Sequence, residues 1–538
     1  MKKYLKEIQI WIILNFFIIL LGAISTAFLP YIHMIFIDGI FVNNNIEFLI
    51  ISLLYISLIL VDIISGYFSM IISWKIGIQF ENSLKRDFIM SLFLRPFEIF
   101  NKKSIPEYVS VQSNDLTSLE MNYVSPIISI AVSLCLFITY GLILFFLVDF
   151  RIAIILFITS VISVFLTNIN SKKLSERRKD YLDNLEKYSN KVSNLLEGKK
   201  LISKSSIKNF EIEHEKQLQE TASFRYIYGK NKSLVISTNG IVLYAINIIG
   251  FVFIAYLSFN GEISIGATVA SLGYIGAFVG PLQEIISCIT MLNSIKTVKE
   301  KVLKETESKY SFNNREIDKF QKNIIFENVS IVQSNFSLKN FNFTFKKGKK
   351  YAIIGHNGSG KSTIVNLLMG FLKQNNGTIK IDEIDINTLD ASKIMFCVNQ
   401  NEIMFEDDFF QNISLFSYYN VDFYKKISTK FDNFINKSML ETKNCKNLSG
   451  GEKQLISILR MINSNTDIWI LDEAFSQIDE NKYRELENII LGIKDKTIIS
   501  VTHDTGEHLN LYDEILFLEK GELKEHIVNK LVMNQNSI

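Results

Sequence analysis

Four cysteines in 538 residues, none in a CxxC spacing, leave this chain without a disulfide framework or a zinc site. Cys135 and Cys288 fall in apolar stretches, Cys397 and Cys445 in the C-terminal part, and each reads as a small buried hydrophobe. Charge is also sparse. The 57 Lys and Arg nearly balance the 55 Asp and Glu, so no overall field draws the chain to nucleic acid. Only 21% of residues are charged and 48% are hydrophobic, 42 of them Phe, which is too apolar for a wholly soluble protein. Proline occurs five times. Two long charged stretches, 75–124 and 171–234, are almost free of both proline and glycine. They therefore read as helices rather than solvated loops, each with a reversal, near 97–106 and near 204–211.

The apolar residues are concentrated before residue 293. A helix crossing a bilayer takes about 20 of them. Six runs qualify: roughly 8–29, 48–74, 125–148, 152–170, 235–258 and 267–292. The first follows lysines and reaches Ala23 and Ala27, as a signal peptide does, but it is long for one and five more runs follow. Lysine and arginine placement sets the orientation. Lys2, Lys3 and Lys6 precede the first run; Lys75, Lys85, Arg86 and Arg95 follow the second; Lys172, Lys173, Arg177, Arg178 and Lys179 follow the fourth. The stretch 31–47 and the turn at 259–262 carry none, and Arg151 beside Asp149 is the one ambiguous outer charge. Both termini are thus expected in the cytoplasm, in a cell membrane, bacterial by expectation. Pro30, Pro126 and Pro281 read as kinks or span ends. Asp62 and Glu284 lie within spans, where a carboxylate either faces a polar path for cargo or is hydrogen-bonded to a neighbouring helix.

Beyond residue 321 the pattern changes to short apolar strands, at 324–329, 341–345 and 351–354. The third runs into Gly355-His356-Asn357-Gly358-Ser359-Gly360-Lys361-Ser362-Thr363, and a helix follows. This is the context of a phosphate-binding loop: glycines let successive backbone N–H groups point inward, and the helix start adds favourable partial charge. Lys361 is placed for the β and γ phosphates and Ser362 for Mg²⁺. A second strand, 468–471, ends in Asp472 and Glu473, which divide metal orientation from activation of water. A third, 497–501, ends at Thr502-His503-Asp504. Leu448-Ser449-Gly450-Gly451-Glu452 opens another helix, a second anion-binding N-terminus that a phosphate loop alone does not need.

Together these motifs resemble the nucleotide-binding domain of ATP-binding cassette (ABC) proteins, and six spans ahead of one cassette resemble a half-transporter of the exporter type. The resemblance implies a multidomain fold: an all-α six-helix transmembrane domain (1–292), a linker (293–321) and an α/β phosphate-loop ATPase domain with a helical subdomain (322–538). It implies ATP and Mg²⁺ as ligands, with Gly355, Asn357, Gly358, Ser359, Gly360, Lys361, Ser362 and Thr363 on the phosphates. It places Ser362, Gln400 and Asp472 at the metal, Glu473, His503 and Gln400 in catalysis, and Asp479 in the D-loop. Ser449, Gly450, Gly451 and Glu452 are implied to bind the nucleotide held by a second chain, so the resemblance implies a dimer, a homodimer being sufficient. Short coupling helices at the two reversals are implied to touch the ATPase domains.

Three departures stand out. Ile331-Val332-Gln333 occupy the place of the family's adenine-stacking aromatic, with Phe336 as a substitute; Glu441–Asn447 lacks the usual glycine and glutamate; and the stretch from Gln400 to Ser449 is short. The reading is ATP-driven export of a small amphipathic substrate, a peptide being one candidate to which His503-Asp504 leans, across the lipid bilayer and with no nucleic-acid partner. Import or lipid flipping by the same architecture, or an ATP-gated regulator that moves nothing, are the alternatives. No protease-like segment precedes Lys6, so trimming of a leader by this chain is not expected.

Overall fold

The computed structural model describes residues 1–39, 45–167, 171–306, 315–333, 336–400, 402–417, 431, 433–503 and 506–529. Expectations on Asp504, on the Phe336 side chain and on 418–430 of the Gln400–Ser449 stretch fall outside the described residues. The chain forms two compact units, one of Met1–Phe93 with Lys103–Lys309, the other of Leu94–Lys102 with Tyr310–Ile538.

The first unit is helical. A short helix, Lys2–Glu7, precedes Gln9–Gly39. Asn45–Phe93 and Ile207–Phe259 run unbroken for 49 and 53 residues, so each carries its apolar span far into a charged extension, about 80 Å for the longer. Ile105–Val148 and Ile265–Ser294 complete the helices long and apolar enough to cross a membrane, five among the described residues. The remaining expected span is the helix Phe150–Thr167, followed by the charged helix Ser171–Glu197. Pro30 and Pro281 lie inside helices, and Pro126 follows the π-helical turn Glu120–Val124, so none of the three ends a span. The reversals fall between Phe93 and Ile105 and between Leu201 and Ile207.

Two polar features are satisfied locally. The Thr26 hydroxyl donates to Asp62 Oδ1 at 2.8 Å, from one span to the next, whereas Glu284 is exposed and accepts from the Cys288 thiol one turn on. Arg151 pairs with Asp149 at 3.0 Å and with Glu262 from the other outer turn. The one cation on the outer side is thus neutralised, which reconciles it with the charge bias.

Among its described residues the second unit holds three sheets. Strands β1 (Arg315–Glu316) and β7 (Leu389–Asp390) pair in parallel. An antiparallel sheet, order β3-β2-β5-β6, uses β2 (Asn323–Gln333), β3 (Phe336–Lys346), β5 (Asn376–Ile381) and β6 (Ile384–Asp385). The main sheet, order β12-β11-β4-β10-β9-β8, uses β4 (Lys350–Gly355), β8 (Met395–Val398), β9 (Ile468–Asp472), β10 (Thr497–Val501), β11 (Glu514–Glu519) and β12 (Glu522–Val528). β10 is buried throughout and β4 and β9 nearly so, the signature of a parallel sheet covered on both faces. Phe97 of the Leu94–Lys102 turn packs on Phe371, ring centroids 4.6 Å apart.

A buried polar cluster ties the segment after Gln400 to the helix Gly450–Ser464. Asn412, fully buried, donates to the carbonyls of Phe405, Asp407 and Asp408 and accepts from Phe405 N. Arg460 donates to the carbonyls of Asn412 at 2.7 Å and Ile403 at 3.2 Å. Removing the fully buried Asn412 amide takes a donor from the Phe405, Asp407 and Asp408 carbonyls and an acceptor from Phe405 N. Asn412→Ala is therefore expected to destabilise the unit by about 1–3 kcal/mol, read as a lower urea midpoint.

Candidate nucleotide site

Parallel pairing brings the C-terminal ends of β8, β4, β10 and β9 to one edge, where ligands of open α/β sheets bind. β4 ends at Gly355, whose missing Cβ would stand 2.3 Å from the Leu518 carbonyl oxygen and 2.7 Å from Ser359 Oγ. His356, Asn357 and Gly358 form the exposed turn, and Gly360, at φ +107°, enters the helix Lys361–Leu368 from the left-handed region. Ser359 is buried, and its hydroxyl has no hydrogen-bond partner among the described residues. Lys361 is 5% exposed and folds over the loop, donating to the carbonyls of Gly355 at 2.8 Å and His356 at 3.2 Å. Burial lowers its pKa, opposed by the nearby charges of Glu473 and Asp472.

Three expected residues meet on one carboxylate. Gln400 Nε2 donates to Glu473 Oε2 at 2.7 Å, and His503 Nε2 lies 2.6 Å from Glu473 Oε1. They reach it from the ends of β8, β9 and β10. Glu473 itself sits at φ +52°, where a β strand has given way to a turn, with its N–H bonded to the Val501 carbonyl. Asp472, the last residue of β9, is pushed up in pKa by burial and drawn down by a hydrogen bond from Ser362. The hydroxyl of Ser362, the carboxylate of Asp472 and the amide oxygen of Gln400 are all hard oxygen donors, the set that fits Mg²⁺.

The second motif stands apart. Ser449 caps the helix Gly450–Ser464 in a reciprocal box with Glu452, whose pKa the Ser449 hydroxyl and N–H hold down. No hydrogen bond among the described residues joins 449–452 to 355–363. They line instead a cavity of about 530 Å³ with Gln477 and Asp479. Gln477 packs on both glycines: a Cβ on Gly450 would meet its Oε1 at 1.8 Å, and one on Gly451 its carbonyl oxygen at 2.9 Å. Gln454 latches the same turn, accepting from Gln477 N and donating to Ser476 Oγ.

Sequence reasoning passed over Glu402, which is hydrogen-bonded by Ser457 and whose carboxyl burial pushes up to about 7. It also missed Gln454 and Gln477, polar residues within otherwise apolar or turn sequence. At the adenine position Val332 is exposed and Ile331 buried, so no aromatic stands at 331–332.

The family model for the ABC transporter transmembrane region matches residues 12–282, about half of the chain, and that for ABC transporter matches 338–476. The chain belongs to the ABC transporter family. Multidrug resistance-like ATP-binding protein MdlB of Buchnera aphidicola is 26% identical over 97% of this chain and 93% of its own. The ATP-dependent lipid A-core flippase of Haemophilus influenzae is 22% identical over 99% and 94%. A bacterial Atm1-family ABC exporter solved with ATP bound shares the fold at a TM-score of 0.84, with 17% identity over 99% of this chain and 97% of that one. A helical membrane domain and an ATPase domain fused in one chain are the exporter-type arrangement. The protein is an ABC ATPase coupled to transport and a multi-pass membrane protein with its ATPase domain in the cytoplasm.

Gly355→Ala should abolish closure of the phosphate loop, because a carbonyl oxygen at 2.3 Å has no room to yield. The expected cost is about 2 kcal/mol or more, with loss of ATP retention in an equilibrium binding assay.

Proposed function

We propose that two copies of this chain export a small amphipathic substrate, each copy supplying half of each nucleotide pocket. The carrying observation is the Glu473 carboxylate shared by Gln400 and His503 beside the phosphate loop. Glu473 is the base that orients and polarises the attacking water. His503, on its other oxygen, is placed for the γ-phosphate, and Gln400 fixes the carboxylate from the β8 side. Lys361 exchanges its loop carbonyls for β and γ phosphate oxygens, and backbone N–H groups of 357–363 take the rest. Ser362, Asp472 and Gln400 hold Mg²⁺, which when bound neutralises phosphate charge. Ser449–Glu452 and Asp479, which line a separate cavity, serve the nucleotide of the other copy. Residues 1–292 are the translocating part, 293–321 the linker and 322–538 the cassette.

For the substrate, a cavity of about 770 Å³ in the helical unit is the support. Arg178 and Lys232 line it, with Asn239, Asn247 and Gln283, and among the described residues no carboxylate does. Its apolar wall includes Leu243 and Val279. This composition suits an amphipath with an anionic group more than a cationic one.

Glu473→Gln should leave the ATP dissociation constant within about threefold and lower turnover by about 10²-fold or more; an unaltered hydrolysis rate rejects the assignment. In proteoliposomes, an acyl carboxylate should stimulate ATPase activity more than the matched alkylammonium. Arg178→Gln with Lys232→Gln should remove that preference; stronger stimulation by the cation refutes the sign.

A further inference from the structure

We propose that a groove at the cytoplasmic edge of the second span binds the headgroup of an anionic phospholipid from the inner leaflet. It lies in the helical unit, shares no lining residue with the cavity holding Arg178, and does not depend on the identity of the cargo.

The chain has three tryptophans. Two, Trp11 and Trp74, stand at the cytoplasmic ends of neighbouring spans, the level at which tryptophan anchors helices to the membrane interface. Between them lies Lys75, with Nζ 3.7 Å from the centroid of the Trp11 ring. This holds the ammonium at the interface instead of letting it extend into the cytoplasm. Trp74 is 65% exposed, and Ile71 and Ile78 beside it are exposed too.

These residues border a groove of about 510 Å³ that also reaches Gln79, Asn82 and Arg86. Ile71, Lys75, Ile78, Asn82 and Arg86 succeed one another at three- and four-residue spacing, so they form one stripe of the helix Asn45–Phe93. From the bilayer end toward the cytoplasm the stripe is apolar at Ile71, cationic at Lys75, apolar at Ile78, amide at Asn82 and cationic at Arg86. Both cations thus lie cytoplasmic of Ile71, on the side where a lipid phosphate stands beyond its acyl chains. Both cations are exposed. The one carboxylate in the lining, Glu7, accepts the Ser83 hydroxyl at 2.7 Å. Basic grooves between span helices on this side favour anionic headgroups by about 1 kcal/mol per cation.

The test uses the full-length protein in vesicles of equimolar phosphatidylglycerol and phosphatidylcholine, with bromine on the acyl chains of one lipid or the other. Trp469 is buried in the ATPase unit and serves as constant background. Brominated phosphatidylglycerol should quench the tryptophan emission about threefold more than brominated phosphatidylcholine. Lys75→Gln with Arg86→Gln should bring the two lipids to equal quenching, while Lys187→Gln with Lys200→Gln, cations outside the groove, should not. Basal ATPase activity reports that the variants are folded. Equal quenching in the unsubstituted protein, or a preference that the control pair removes as well as the groove pair, overturns the proposal. A failed lipid preference leaves the export reading intact, and a failed Glu473 assignment leaves this one intact.

Discussion

Everything at the nucleotide edge hangs on one carboxylate held from two sides. Glu473 follows β9 directly, so its position is set by the parallel pairing of β9 with β8 and β10. Gln400 and His503 arrive by the same pairing, one strand to each side. Had any of the three strands slipped in register, the carboxylate would lose a partner and the residue at φ +52° would lose what holds it there. The sheet is buried on both faces, which makes such a slip costly. The apolar core thereby does chemical positioning as well as stabilisation.

The motifs were legible because their chemistry demands rare combinations at fixed intervals. A strand, a glycine loop and Lys361 at a helix start cannot easily arise for another reason, and long apolar runs announce spans by length alone. In the main sheet β4, β9 and β10 were read from continuous apolar runs such as Ile468–Leu471, whereas β11 and β12 were not. The antiparallel layer was visible only in part: β2 and β3 were found, but β5 and β6 contain Lys380 and Asp385 and carry little periodicity. The weakest span signal was the fourth, where apolar residues give way to a charged helix with no breaking residue between them.

What escaped reading was packing. Nothing in the sequence says that Asn412 is fully buried, or that Arg460, in an apolar helix, ends on backbone carbonyls of another segment. Such residues satisfy unpaired main-chain groups, and the need for them exists only once the chain has folded. Arg151 is a different case: its charge looked misplaced until Asp149 and Glu262 were found around it.

The side chain of Gln477 occupies the space above Gly450. The constraint on that glycine is therefore partly of the chain's own making. Shortening residue 477 would relax position 450, while position 451, confronted by backbone, would stay as it is. The two adjacent glycines are thus constrained from different sources, one by a replaceable side chain and the other by the course of the polypeptide itself.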